Sequence, residues 1–291
     1  MFGARRQGRA ALRVGCGNVV TSGLTRAFEL ARAENRAALV AFIMAGDPSP
    51  DWTPALLQAL VAGGADIIEL GFPYSDPLAD GPVIQAASGR ALAAGMDFDR
   101  ALACREAAAD VPVIAFGYYN PLFVRGVERA TCDIAAAGFV GIIAADLPPE
   151  EAGPLESACA ENDIALPYLV APTTPPARIA LLAARATGFI YAVSRLGVTG
   201  ADAPPSAGIA ACIAQIRDVT TLPVVAGFGI SSAADAAAVA ATADGVVVGS
   251  ALVELVSRAD SLASASTALE SQCRSIASAC RRNAEMPVVP A

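Results

Sequence analysis

Two carboxylates are placed where they could move protons: Glu69, inside the apolar stretch Asp66-Ile67-Ile68-Glu69-Leu70, and Asp80, at the end of the loop that follows. The segment from Glu69 to Pro82 holds three carboxylates and three prolines in 14 residues. Proline fixes φ, so acids in such a loop are held rather than merely solvated. A two-residue alternation puts Glu69 on the same side as Ile67, facing an interior. A carboxylate there is costly unless it is paired or used. Two readings stay open: a buried glutamate hydrogen-bonded to a neighbouring strand, or an acid–base group with a perturbed pKa. Asp80 precedes Gly81-Pro82, where an aspartate also serves turns and helix caps. Asp76, in Ser-Asp-Pro, has that plain explanation more strongly.

The rest of the composition narrows the chemistry. The chain has no His, and all 20 of its basic residues are Arg, so there is no Lys. Without Lys there is no Schiff base and no covalently held pyridoxal phosphate. Without His, the usual general base, Ser-His triads and most zinc sites are gone. Acid–base work falls to Asp, Glu, Tyr or Cys. Seven scattered cysteines, Cys16, Cys104, Cys132, Cys159, Cys212, Cys273 and Cys280, include no CxxC pair. They read as reduced thiols packed in helices, and no metal site is expected. The net charge of −8 disfavours a nucleic-acid partner. No run approaches the roughly 18 apolar residues of a membrane span, and the expected location is cytoplasmic.

From Thr25 onward, short apolar runs ending in Gly, Asp or Pro alternate with longer Ala-rich stretches of helical spacing. The runs are 39–45, 67–72, 113–118, 140–146, 165–171, 189–194, 224–228 and 246–249. Continuous apolar runs of this length suit strands buried on both faces. Helices are expected over 54–62 (capped by Asp51 or Thr53), 127–137, 149–161, 176–186 and 233–243 (after a Ser231/Ser232 cap). Eight strand–helix units fit a single (β/α)8 TIM barrel better than a doubly wound sheet. An extra N-terminal helix over 26–36 would plug the barrel bottom. Residues 24–280 form the expected barrel domain, with 281–291 as a C-terminal tail. Residues 1–23 carry Arg5, Arg6, Arg9 and Arg13, no acid and no apolar signal core. They read as a disordered extension or an over-long start.

In such a barrel the chemistry sits at the carboxyl ends of the strands, and the loops after the last two strands hold phosphate. Ala226-Gly227-Phe228-Gly229-Ile230-Ser231 and Val248-Gly249-Ser250-Ala251 stand there. Their glycines let backbone N–H groups approach an anion at a helix start. The loop 194–201, Ser-Arg-Leu-Gly-Val-Thr-Gly-Ala, suits a lid. These residues point to a phosphate-binding barrel enzyme that uses carboxylates, without naming a substrate.

The loop Glu-Leu-Gly-x-Pro-x-Ser-Asp-Pro-x-Ala-Asp-Gly-Pro, running from Glu69 to Pro82, closely resembles the signature of the tryptophan synthase alpha subunit family. The resemblance runs from about Thr25 to Leu255. It takes in Ala45-Gly46-Asp47-Pro48, Tyr118-Tyr119-Asn120-Pro121, Ala144-Ala145-Asp146-Leu147-Pro148, Ala171-Pro172-Thr173-Thr174 and the glycine loops above. It implies retro-aldol cleavage of indole-3-glycerol phosphate to indole and glyceraldehyde 3-phosphate. It implies Glu69 as the catalytic glutamate, acting at the indole ring carbon that bears the side chain. Asp80 would be the aspartate stabilising charge on the indole N–H. Tyr191, Phe42, Tyr118 and Phe228 would line the substrate pocket. Gly200, Gly229, Gly249 and Ser250 would cradle the phosphate, and Arg195 and Thr199 would lie in the lid. It further implies no cofactor in this chain, and an alpha2-beta2 complex with a beta subunit that carries pyridoxal phosphate. Met44 departs from the family, which often has a small polar residue there. Two alternatives share the acidic loop: a stand-alone indole-3-glycerol-phosphate lyase, and a non-catalytic subunit that only docks on and activates a beta subunit. A sugar-phosphate isomerase on a similar barrel is disfavoured by that loop.

Overall fold

The computed structural model describes residues 21–193, 205–227 and 229–282. The eight strands are β1 (Ala38–Met44), β2 (Ile67–Gly71), β3 (Val113–Gly117), β4 (Gly141–Ala144), β5 (Tyr168–Val170), β6 (Ile190–Val193), β7 (Val224–Gly227) and β8 (Gly245–Val248). All seven strand pairings are parallel, in the order β4-β3-β2-β1-β8-β7-β6-β5. The seam between β4 and β5 closes through one parallel bridge, Gly141 to Ala165. There Ile142 N–H reaches Ala165 C=O at 2.8 Å, and Ala165 N–H reaches Val140 C=O at 3.0 Å. The sheet is thus the (β/α)8 barrel expected from the sequence. The fifth strand is shorter than the expected 165–171 because Pro167 has no N–H to give the ladder.

Twelve α-helices surround the strands among the described residues. They are α1 (Thr21–Ala33), α2 (Thr53–Ala62), α3 (Pro82–Ala93), α4 (Phe98–Cys104), α5 (Tyr119–Arg125) and α6 (Val127–Ala136). They continue as α7 (Gly153–Glu161), α8 (Pro176–Arg185), α9 (Pro205–Arg217), α10 (Ala233–Ala240), α11 (Ser250–Ser257) and α12 (Leu262–Ala279). The extra helix α1 begins before the expected Arg26 and ends at Ala33 rather than Arg36. Asn35 turns to φ +52, and the Arg36 N–H returns to Ala31 C=O. Neither Asp51 nor Thr53 caps α2 through its side chain; a 3-10 turn over Pro50–Trp52 feeds straight into it. The expected helix from Pro149 starts only at Gly153, after a turn in which Glu151 and Ala152 bond back to Pro148 and Pro149. Ser232 does cap α10, in a capping box with Asp235.

The interior of the barrel is one buried layer and the space between strands and helices another. Inside, Val40, Ile67, Ile114, Ile143, Phe189, Val225 and Val247 pack on Leu24, Phe28 and Ala31 of α1. Phe28 meets Phe189 edge-on at 5.9 Å. Each such side chain contributes about 1.5–3 kcal/mol by leaving water, so α1 works as a hydrophobic plug for the bottom. Register carries this inward face along neighbouring strands: Phe42 pairs with Glu69, and Glu69 with Ile114. Six cysteines lie among the described residues, all free; five are buried and Cys132 is exposed.

Candidate active site

Glu69 is the middle residue of β2, between Ile67 below and Gly71 above, so alternation aims it into the barrel. It is 1% exposed, and its Oε1 has no hydrogen-bond partner. Among the described residues no neighbouring strand bonds that oxygen, unlike the paired buried glutamate that the sequence left open. Burial pushes its pKa up to about 8, from an ordinary value of 4.5. Glu69 is therefore largely a neutral acid near pH 7. Gly71 helps to keep it dry. A Cβ there would lie 2.7 Å from Phe42 Cζ and 3.0 Å from Met44 Sδ, so both side chains lean across β2 just above Glu69. The thioether of Met44 adds no hydrogen-bond donor of its own there.

Asp80 arrives from the loop after β2. Its carboxylate caps no helix: Gly81 is the N-cap of α3, and α3 has no side-chain cap. Instead Tyr118, at the end of β3, donates its O–H to Asp80 Oδ2 at 2.9 Å, and the Ala79 N–H donates to the same hydroxyl at 3.0 Å. Burial raises the pKa of Asp80, and the Tyr118 hydrogen bond works against that rise. The loop is also tied from behind, because Gln85 Nε2 reaches the Asp80 C=O at 2.8 Å. Asp76 carries no such bond to the barrel; it takes the Ser75 hydroxyl at 2.5 Å on the exposed side.

Tyr191 on β6 completes the cluster. Its hydroxyl is held un-ionised first by burial and then by the charges of Glu69 and Asp80. Gly227 on β7 makes the room: a Cβ there would sit 2.7 Å from the Tyr191 Oη. Phe42 faces Phe116 edge-on at 5.5 Å, and its ring lies 3.6 Å from where a Cβ on Gly249 would be. Phe42 thus bridges the carboxylate side of the mouth and the loop after β8.

The two glycine loops differ in a way that spacing did not show. At α10 the amides and hydroxyls of Ser231 and Ser232 all turn to Asp235 Oδ2, so that helix start is occupied by its own cap. At α11 Gly249 is the N-cap and no side chain caps the helix, which leaves the amino end at Ser250 open to an anion. Gly229 has φ +80 and open space where a side chain would be. Phe228, and Arg195, Thr199 and Gly200 of the expected lid, lie outside the described residues.

Two features escaped the reading of the sequence. One is the bond between Tyr118 and Asp80, which joins residues 38 apart through tertiary placement alone. The other is an ion pair with one buried member: Asp47, after β1, takes Arg90 Nε at 2.7 Å and Nη2 at 2.9 Å, pinning the far end of α3. Among the described residues no group of three or more His, Cys, Asp or Glu is arranged to hold a metal ion.

By fold and site the chain falls in the class of (β/α)8-barrel enzymes that work with carboxylates at the strand ends. The comparisons with known proteins make that class specific. The profile of the family described as tryptophan synthase alpha chain matches residues 28–281. A tryptophan synthase alpha chain from Caulobacter sp. is 48% identical over 243 residues, 82% of this chain and 88% of that one. Another, from Geobacter sulfurreducens, is 48% identical over 230 residues, 77% and 86% of the two chains. Tryptophan synthase from M. tuberculosis in an aminoacrylate-bound form superposes with a TM-score of 0.80 at 36% identity, covering 89% of this chain and 99% of that chain. The alpha subunit from Legionella pneumophila gives 0.80 at 34%, covering 89% and 98%. The chain belongs to the tryptophan synthase alpha chain family, lyases that cleave indole-3-glycerol phosphate and carry no cofactor of their own.

Proposed function

We propose that this chain cleaves indole-3-glycerol phosphate with Glu69 as the proton-transfer group and Asp80 as the partner of the indole N–H. The observation that carries this is the unpartnered Oε1 of Glu69, buried at the barrel mouth within the electrostatic reach of Tyr191, which also feels Asp80. Neutral Glu69 donates its proton to the ring carbon that bears the glycerol chain. The ring becomes an iminium-type cation, and the Asp80 carboxylate stabilises the charge on its N–H. The glycerol hydroxyl next to the ring then gives its proton back to Glu69. Its O–H electrons form the aldehyde, and the carbon–carbon pair returns to the ring. Indole and glyceraldehyde 3-phosphate leave, and Glu69 is protonated again. A carboxyl that must donate and then accept works best with a raised pKa.

Phe42, Tyr118, Tyr191 and Phe228 line the indole end. Gly200, Gly229, Gly249 and Ser250 hold the phosphate, with the open amino end of α11 as the strongest support. Arg195 and Thr199 belong to the lid over it.

The same face docks a beta subunit that carries pyridoxal phosphate, in a cytoplasmic alpha2-beta2 complex. Leu78, after β2, is 87% exposed, and Phe123 and Val124, in α5 after β3, are 65% and 77% exposed. Large apolar side chains left in water beside a site whose product is apolar fit a protein partner there. No helix among the described residues is long and apolar enough to cross a membrane. Indole release by the purified chain, repeated with its cognate beta subunit, tests both parts. Turnover should accelerate, and a mixed complex should elute from a sizing column. Turnover that no beta subunit changes, with separate elution, would leave a stand-alone lyase. Absence of turnover in both arms would leave a docking subunit.

A further inference from the structure

The residue that presents Asp80 to its substrate is legible in the hydrogen bonds around Tyr118. This inference rests on the catalytic reading of Asp80 given above. A phenol has one proton to give. The Tyr118 oxygen is already an acceptor for the Ala79 N–H, which turns its own proton towards Asp80 Oδ2. Among the described residues Asp80 Oδ1 takes no bond. The Tyr118 ring is itself fixed: it is 5% exposed and lies against Tyr74, with centroids 5.2 Å apart. Tyr74 in turn is clamped at both backbone atoms by one side chain. Its N–H donates to Ser88 Oγ at 2.8 Å, and the Ser88 O–H donates to its C=O at 2.8 Å. Ser88 is buried and sits on α3, the helix that Asp80 leads into.

We propose that Tyr118 is a positioning residue for Asp80, claiming Oδ2 so that Oδ1 is left for the substrate N–H, and that Ser88 sets the same geometry at one remove through Tyr74. An aspartate on a loop would otherwise turn freely about its side-chain bonds and offer either oxygen in many directions. Fixing one oxygen removes that freedom before substrate arrives, which is the preorganisation that electrostatic stabilisation needs. The Tyr118 bond also favours the charged carboxylate against burial. The titratable groups facing Asp80 are Tyr118 from β3 and, through longer-range charge, Tyr191 from β6, which also feels Glu69 from β2. No cation shares that work among the described residues.

The test uses the full chain and three variants, Tyr118→Phe, Ser88→Ala and Ser88→Thr, each checked for fold by circular dichroism. Loss of a hydrogen bond to a charged group should lower the kcat of Tyr118→Phe by about ten- to hundred-fold. KM, and the binding of glycerol 3-phosphate as a probe of the phosphate end, should stay within about twofold. The acid limb of the kcat profile should move to higher pH, because Asp80 loses a bond that favours its charge. Ser88→Ala should show the same pattern more weakly, about three- to ten-fold, and Ser88→Thr should restore it. Adding Ser88→Ala to Tyr118→Phe should cost little more, since both act on one carboxylate. A Tyr118→Phe enzyme with kcat within twofold and an unmoved acid limb would overturn the inference. Asp80→Asn, assayed alongside, separates the two levels. If it is inactive while Tyr118→Phe is normal, only the positioning role fails; if it is fully active, the catalytic reading of Asp80 fails first.

Discussion

Asp66 and Glu69 sit three residues apart beside the same strand and have opposite surroundings. Asp66, just below β2, is fully satisfied. Arg36 Nη1 and Nη2 meet its two oxygens at 2.6 and 2.8 Å, and the Leu39 N–H adds a third bond at 2.8 Å. The same Arg36 also holds Glu34, on the solvent side. Glu69, at the middle of β2, has an oxygen with no hydrogen-bond partner. Identical chemistry thus serves two ends. At the amino end of the strand a carboxylate knits β1, β2 and the segment after α1 together. Three residues further up it is buried and left unsatisfied. On the proposed role of Glu69, the barrel separates stability from chemistry along its axis.

Four experiments would break or sharpen this contrast. The largest effects belong to the upper end. Glu69→Gln and Asp80→Asn should each lower kcat by about 10²–10⁴, the range for one acid–base group, with the fold retained by circular dichroism. Asp66→Asn should do the reverse. Urea unfolding should show a loss of about 2–4 kcal/mol, because Arg36 loses the more buried of its two charged partners, while kcat per folded molecule stays within twofold. If Asp66→Asn lost turnover without losing stability, the axial division would be wrong.

The third effect is a pH-dependent one. The folded pKa of Glu69, about 8, lies above its ordinary 4.5, so between those values the folded chain holds a proton that the unfolded chain has released. Stability from this group is complete below the unfolded value and falls as pH rises through the window to about 8. Glu69→Gln, which cannot titrate, should therefore gain on the natural chain between pH 5 and pH 8, by roughly 1–4 kcal/mol in paired urea melts. A constant difference across that range would mean that Glu69 is not a neutral acid in the fold. The smallest effect concerns the phosphate end. Gly229→Asp places charge in the open space by the loop after β7, at a φ that aspartate tolerates. It should raise KM about tenfold, from one unfavourable charge contact, and leave kcat within threefold.

Much of this was legible in the sequence because period and punctuation report on backbone. Apolar runs and their Gly, Asp and Pro ends mark all eight strands, and alternation from Ile67 aims Glu69 inward. Of α11 the sequence marked only the start; α4 and α5, of seven residues each, are too short to show a helical period; and α3, α9 and α12 were not marked. Their apolar stripes are diluted by Ala, Ser and Gly, so period alone does not set them apart from the loops beside them. The bond of Tyr118 to Asp80 and the pair Asp47–Arg90 were invisible for another reason. They depend on which loops the closed barrel brings side by side, and no local spacing encodes that. The capping of α10 by Asp235 is the opposite case. Ser232 and Asp235 form a capping box that spacing could have shown, and it separates two glycine loops that otherwise look alike.

The most direct test of the central claim is the titration of the Glu69 carboxyl itself in the full chain. Carbon-13 NMR of protein labelled at glutamate side-chain carboxyls can follow it, with Glu69→Gln to assign the resonance. The account predicts one glutamate that remains protonated at pH 6.5 and titrates near pH 8, and whose signal is missing from the variant. A Glu69 resonance that titrates near 4.5 with the other glutamates would contradict it, because a carboxylate already charged at neutral pH has no proton to give the indole ring.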